Sequence, residues 1–275
     1  MRELASNYDA VLCDIWGVVH NGRDAFPEAH KALSAFRKSG GTVVLVSNAP
    51  RPWTEIAPQL ENYGVPDHAW DAIVTSGDVT RHLIEADIAR PMFHLGPPRD
   101  KPVFAGLDVN LVGEDDAQVV VNTGLFDDHT ETPDDYRERF ADLVARNVRM
   151  ICANPDLLVE RGDEIVHCAG GLAALYTEMG GDVAYAGKPY LPIYEMAGDL
   201  ISEIRGAPIS ADRTLAIGDG LKTDIAGAAA AGMDALFVPS GIHLSPGEDR
   251  DQNTLNGLFA NAAVKPVGAI DGLRW

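Results

Sequence analysis

The amino-acid order predicts an α/β protein: a doubly wound, Rossmann-like parallel sheet with helices on both faces, carrying an inserted second α/β domain. Three observations predict it. Short apolar runs of strand length alternate with helix-length amphipathic stretches at both ends of the chain. Several of the runs break into a polar loop, as expected where parallel strands deliver side chains to one carboxyl edge, the edge at which such sheets bind ligands. From about residue 91 the texture changes, with Pro91, Pro97, Pro98 and Pro102 in a short span and frequent Gly and Asp up to Asp116.

The first run, Asp9-Ala-Val-Leu-Cys13, stops on Asp14 and breaks at Gly17. A helix is predicted over 26–39, with Pro27 in its first turn, Ala29, Leu33 and Phe36 on one face, and Gly40-Gly41 ending it. A buried strand follows at 42–46 and ends in the polar loop Ser47-Asn48-Ala49-Pro50-Arg51. A helix is expected at 53–63, a strand at 72–75 and a helix from Ser76-Gly77-Asp78 to Glu85. Within the altered region, 118–121 reads as a strand, 127–131 as an acidic loop, 133–147 as a helix and 148–152 as a strand ending at Asn154-Pro155-Asp156. A helix at 171–179 and a strand at 183–186 close it. The last third resumes the first pattern: Gly187-Lys188-Pro189, a helix around 193–205 and a strand at 214–217 that breaks into Gly218-Asp219-Gly220-Leu-Lys-Thr-Asp224. A small-residue helix at 225–231 and a strand at 235–238 follow, then loop and a short helix over 241–263 interrupted at Gly257. The organisation read from this is a core of 1–88 and 184–275 with an inserted cap of 89–183.

Composition narrows the function. The chain has 275 residues, 46% hydrophobic and 23% charged, with a formal net charge of −19. Such an acidic protein is repelled by nucleic acid and anionic lipid, so neither is expected as a partner. A phosphate site would need local positive charge or a metal. Cys13, Cys152 and Cys168 are too few and too scattered for a disulfide framework or a zinc site, and read as reduced thiols of a cytoplasmic protein. The N-terminus has no basic-then-apolar signal pattern, and no apolar run is long enough to span a bilayer.

Four polar clusters each follow an apolar strand: Asp14, Ser47-Asn48, Lys188, and Asp219 with Asp224. If their strands share one sheet, three carboxylates, an ammonium and a hydroxyl–amide pair converge. Hard carboxylate oxygens suit Mg²⁺, and a carboxylate beside such an ion can attack phosphorus to give an aspartyl-phosphate. Lys188 and Ser47 would balance charge on the transferring phosphoryl group. Each motif alone has a plain reading: Asp14 as a turn residue, Lys188 as a surface lysine, Asp219 and Asp224 as helix caps.

In this order, Asp14-x-Trp-Gly-Val-Val, strand-Ser47-Asn48, Gly187-Lys188-Pro189 and Gly218-Asp219-Gly220-x-x-x-Asp224 resemble the haloacid dehalogenase superfamily. The closer resemblance is to its class IIA branch of NagD-like and pyridoxal-phosphatase-like enzymes, whose cap lies between the second and third motifs. Asn154-Pro155-Asp156 fits that branch too. The resemblance implies Asp14 as nucleophile, and Mg²⁺ held by Asp14, the backbone carbonyl of Trp16, Asp219 and Asp224. It places Ser47, Asn48, Gly17 and Arg51 toward the phosphoryl group and substrate, with Lys188 as its tether to Asp14. The implied substrate is a small phosphorylated metabolite such as a sugar phosphate, nucleotide or pyridoxal phosphate. Caps in the branch often take part in homodimers.

One position departs from the pattern. The family's phosphatases place a second Asp two residues after the nucleophile, to protonate the leaving oxygen and then activate water. Trp16 stands there, and an indole can do neither. General acid–base help is worth ~10²–10⁴ in rate, so slow turnover is expected. His20, or His129 in the acidic loop, is a candidate replacement acid, and Trp16 itself reads as a hydrophobic lid. Two alternatives stay open: a phosphate- and metal-binding protein that has lost turnover, and metal-independent dehalogenation.

Overall fold

A computed structural model describes residues 1–161, 164–239, 259 and 264–275. The expected loop and short helix over 241–263 lie outside the described residues, apart from residue 259. In chain order the elements are α1 (Arg2–Ala5), β1 (Ala10–Asp14), α2 (Pro27–Lys38), β2 (Thr42–Ser47), α3 (Trp53–Asn62), β3 (Ala72–Thr75) and α4 (Ser76–Ala86). Then come β4 (Met92–Leu95), β5 (Val119–Asn122), α5 (Arg137–Ala145), β6 (Arg149–Cys152), β7 (Leu158–Arg161), β8 (Glu164–His167), α6 (Ala169–Glu178) and β9 (Val183–Tyr185). The chain continues with α7 (Leu191–Arg205), β10 (Thr214–Gly218), α8 (Ala226–Ala230), β11 (Asp234–Phe237) and β12 (Gly268–Ala269). No described helix is long and apolar enough to cross a membrane.

The chain divides into two compact units, the first of Met1–Ser47, Ile56–Val74 and Lys188–Trp275, the second of Asn48–Glu55 and Thr75–Gly187. The first is built on a six-stranded sheet of order β12-β11-β10-β1-β2-β3. β1 pairs parallel with both β2 and β10, and β10, β11 and β12 continue in the same sense. All five residues of β1 are buried, which explains its unbroken apolar run. Leaving β1, the chain first builds β2 and β3 on one side and later returns to add β10 and β11 on the other. Right-handed crossovers then place α2 and α8 on opposite faces. The carboxyl ends of β1 and β10 therefore flank the point where strand order reverses, which in such sheets is the ligand crevice.

The second unit has its own parallel sheet, β4-β5-β6-β9, and a separate antiparallel pair, β7 and β8. Alternate residues of the sheet enter two cores. Val120, Met150 and Cys152 pack with Phe140, Leu172 and Tyr176 from α5 and α6, whereas Val119, Val121 and Ile151 pack with Ile84 of α4 and with Val103 and Phe104. The period-two alternation of side chains across a strand produces this division.

Several boundaries differ from the sequence expectation, for local reasons. The stretch predicted as one helix over 133–147 begins as a 3-10 turn, Pro133–Tyr136, capped reciprocally by Thr132 and Asp135. The helix predicted at 225–231 is preceded by a π turn, Leu221–Ile225, in which the Ile225 N–H reaches back to Gly220 O at 3.0 Å. β4, β7, β8 and β12 are not expected from the sequence: β4 lies among prolines, and β12 is only two residues long.

In the second unit half-buried His94 of β4 meets buried Thr123 just beyond β5. His94 Nε2 lies 2.9 Å from Thr123 Oγ1 and its ring packs edge-on against Phe104. Burial, with a smaller contribution from Lys101, pulls its pKa down to about 4. The unfolded chain, with histidine near 6.5, takes up the proton first as pH falls. The stability supplied by neutral His94 is therefore complete above about pH 6.5 and is lost as pH falls through about 4. His94→Gln keeps a partner for Thr123 without titrating in this range. Its thermal midpoint should fall less steeply than the wild type's between these two pH values, as followed by circular dichroism.

Candidate active site

The register of the first sheet assembles the predicted cluster. Cys13 pairs with Ile217 and Asp14 with Val46, so the last residue of β1 stands level with Gly218 on one side and β2 on the other. Asp14, Asp219 and Asp224 each offer a carboxylate oxygen within 4.8 Å of the others, and all three are buried. Lys188 is 3% exposed, and its Nζ donates to Asp14 Oδ1 at 2.6 Å, Asp224 Oδ1 at 2.8 Å and the Val46 carbonyl at 3.4 Å.

Local backbone geometry aims Asp224. The π turn places it under the strand end, and its Oδ2 accepts the Gly220 N–H at 3.1 Å. Gly218 permits the approach, because a Cβ there would collide with the Asp224 carboxyl group. Behind the turn, the Tyr194 hydroxyl lies 3.4 Å from the Thr223 and Asp224 carbonyls. Tyr194 escaped the sequence reading, because a helix tyrosine gives no sign that its hydroxyl will meet a turn thirty residues away.

Burial, reinforced by the charge of Asp224 and opposed by Lys188, pushes the Asp14 carboxyl well above the usual carboxylate range. Burial pulls the Lys188 ammonium down, but Asp14 and Asp224 outweigh it and hold its pKa above the ordinary lysine value. Three carboxylates and one ammonium sum to two net negative charges when ionised. At an effective dielectric of ~20, each like-charged pair at this separation costs about 3.5 kcal/mol. A divalent cation would cancel that excess, and an all-oxygen donor set is the one that hard cations take, so the residues fit Mg²⁺. Cys13, also buried, donates its Sγ–H to the Asp14 carbonyl at 3.2 Å, and burial followed by the charges of Asp14 and Asp224 raises its thiol well above the ordinary value.

The remaining predicted residues fall out as follows. Ser47 ends β2, next to Val46, whose carbonyl accepts from Lys188. Asn48 and Arg51 belong to the second unit. There Asn48 Nδ2 donates to Asp156 Oδ1 at 2.9 Å, and Arg51 Nε lies 3.7 Å from buried Asp100, whose carboxyl burial raises to about 6 against the pull of Arg99 and Arg51. His129 lies in that unit's acidic loop beside Asp128.

Gly17 closes the loop after β1, its N–H donating to the His20 carbonyl at 2.8 Å. His20 was a candidate acid. It is 3% exposed, its Nδ1 accepts the Gly22 N–H at 2.9 Å, and burial pulls its pKa down to about 4. Its ring packs against Trp16 and Tyr63, with centroids 5.3 and 4.8 Å away. A histidine held neutral in this way supports the loop. The Trp16 indole rests against His20 and Gly22, filling the place of the missing carboxylate with packing.

Known proteins resemble this chain over most of its length. A family profile described as haloacid dehalogenase-like hydrolase matches residues 11–110, and a second, HAD-hydrolase-like, matches 185–259. The crystal structure of a haloacid dehalogenase-like hydrolase from Brucella suis 1330 is 44% identical, with 98% of this chain and 97% of that one covered at a TM-score of 0.87. The 5'-nucleotidase YutF of Bacillus subtilis is 26% identical over 97% of this chain and 96% of its own. Glycerol phosphate phosphatase of Mycobacterium tuberculosis, crystallised in complex with magnesium, is 26% identical, with 98% and 76% covered and a TM-score of 0.71. The chain belongs to the haloacid dehalogenase-like hydrolase family, in its NagD-like class IIA branch, and is a hydrolase of that superfamily.

Because His20 supports the loop, His20→Ala should lower stability by about 2–3 kcal/mol in urea unfolding. His20→Phe, which keeps an aromatic ring there, should retain most of both stability and turnover.

Proposed function

We propose that the protein is a Mg²⁺-dependent hydrolase of small phosphomonoesters that works through an aspartyl-phosphate on Asp14. The observation that carries this reading is the buried cluster of Asp14, Asp219 and Asp224 with Lys188 gripping Asp14 Oδ1 at 2.6 Å. The same cluster favours it over metal-independent dehalogenation. The nucleotide and glycerol phosphate named for two relatives give the substrate class: a phosphate on a small polar alcohol.

In this reading Lys188 fixes one oxygen of Asp14, and Oδ2 attacks phosphorus. The Asp14–phosphorus bond forms as the ester oxygen departs with the electron pair of the old bond. Water then attacks phosphorus, releasing inorganic phosphate and restoring Asp14. Ser47 and Asn48 hold phosphoryl oxygens, Arg51 faces the substrate, and Lys188 offsets the charge that builds during transfer. Asp14, Asp219, Asp224 and the Trp16 carbonyl would hold Mg²⁺, which supplies Lewis-acid stabilisation of the phosphoryl oxygens. Residues 89–183 serve as the cap, which closes over the substrate and excludes bulk water.

Trp16 gives the reaction its particular character. With no carboxylic acid at the Trp16 position, the departing oxygen takes its proton largely from solvent in this reading, so the rate depends steeply on how good a leaving group it is. That packing also favours a second reading, in which the protein binds phosphate and metal but turns over hardly at all.

Phosphate release with Mg²⁺ should be far faster from an aryl phosphate than from an alkyl phosphate, and Asp14→Asn should lower both by roughly 10³-fold or more. Chelation should abolish activity and Mg²⁺ restore it. Trp16→Asp should raise the alkyl rate by more than the aryl rate, within the ~10²–10⁴ that general acid catalysis supplies. Metal and phosphate binding without turnover in the wild type would select the second reading.

A further inference from the structure

The turn after β6 is built to present one carboxylate. Cys152 Sγ–H donates to the Asn154 carbonyl at 3.3 Å, and Asn154 Oδ1 accepts the Asp156 N–H at 3.0 Å, a side-chain-closed turn. From the other side the Gly170 N–H, in the first turn of α6, donates to the Asp156 carbonyl at 3.1 Å. The Asp156 backbone is thus bonded through both its N–H and its C=O.

Asp156 Oδ1 accepts a hydrogen bond from Asn48 Nδ2 at 2.9 Å, across 108 residues of sequence. Asn48 is 6% exposed. Only the nitrogen end of a carboxamide can donate to a carboxylate, so this bond decides which way the amide faces. Reversing it would set oxygen against oxygen where little water can intervene. The other end of the amide is confined as well. A Cβ on Gly187 would lie 2.5 Å from Asn48 Oδ1, 2.7 Å from Pro155 Cδ and 2.8 Å from Ser76 Oγ, so only glycine allows the chain to pass so close. Ser76 is fully buried, and its hydroxyl has no hydrogen-bond partner. Its hydroxyl therefore does not compete with Asp156 for the amide.

We propose that Asp156 is a positioning residue for phosphoryl transfer: its carboxylate holds the Asn48 carboxamide in one orientation, ready to bind the phosphoryl group. The proposal rests on the phosphatase reading of Asn48. An ionised acceptor makes this bond stronger than a neutral one, and an amide set in advance loses less freedom when substrate arrives. The residue acts through Asn48 and not as a proton donor, which separates it from a substitute for the acid missing at Trp16.

The test compares Asp156→Ala, Asp156→Asn and Asn48→Ala, singly and combined, by kinetics with an aryl phosphate and by inhibition with inorganic phosphate. Asp156→Ala should raise KM and the inhibition constant about tenfold and change kcat less. Asp156→Asn still offers a carbonyl oxygen to Asn48 and should stay within about threefold of the wild type. In the Asn48→Ala background, Asp156→Ala should add almost nothing. Wild-type KM in Asp156→Ala, damage in Asp156→Asn equal to that in Asp156→Ala, or additive losses would each overturn the proposal. Crystal structures of the wild type and of Asp156→Ala provide a readout independent of turnover. The Asn48 amide should rotate in the variant, and an amide that stays in place overturns the proposal whatever the kinetics show. If the wild type releases no phosphate but the amide rotates, the phosphatase reading fails while the positioning role stands.

Discussion

The arrangement depends on one buried ammonium. Lys188 sits between Asp14 and Asp224 at 2.6 and 2.8 Å. Its donors tie together three parts of the first unit that are far apart in sequence: the end of β1, the segment entering α7 and the turn after β10. Desolvating four ionisable groups is costly, and a half-satisfied cluster would cost more than an apolar core. The parallel register, the π turn and the bare Cα at Gly218 meet that demand by bringing Asp14 and Asp224 within hydrogen-bonding range of Lys188.

The second unit follows the same architectural rule. Its four parallel strands are covered on both faces, so their middles are apolar and their polar groups collect beyond the strand ends. Asn122 shows how tightly those ends are paired: its Nδ2 donates to the Ala169 carbonyl at 3.0 Å and its Oδ1 accepts the Gly124 N–H at 3.2 Å.

Much of this was legible in the sequence, and what was not has identifiable causes. Strands β1, β2 and β10 announce themselves as apolar runs that stop abruptly on Asp14, Ser47 and Gly218, because burial on both faces demands the run and a binding edge demands the stop. The acidic cluster with Lys188 follows once the strands are parallel. β4 was hidden because its four residues stand among prolines and include His94, a polar residue whose burial is set by Thr123 and Phe104. The amide of Gly17 is unclaimed in sequence, and only the folded loop shows that it donates to the His20 carbonyl. The packing of His20 is hidden for a related reason: its partner Tyr63 lies 43 residues away and carries no motif. The pairing of Asn48 with Asp156 joins two recognisable motifs through a contact that neither one specifies.

Cys13 has a practical meaning for handling the protein. A thiol directly preceding the nucleophile invites comparison with phosphatases that use sulfur as the attacking atom, and those are silenced by peroxide and alkylating reagents because they depend on a thiolate. Here the sulfur is fully enclosed, its proton points at a carbonyl, and its neighbours are anions that oppose ionisation. Cys152 and Cys168 are buried too. The thiols of the folded protein should therefore resist peroxide and iodoacetamide, and fresh thiol sensitivity mapped to Cys13 would report that β1 has come apart.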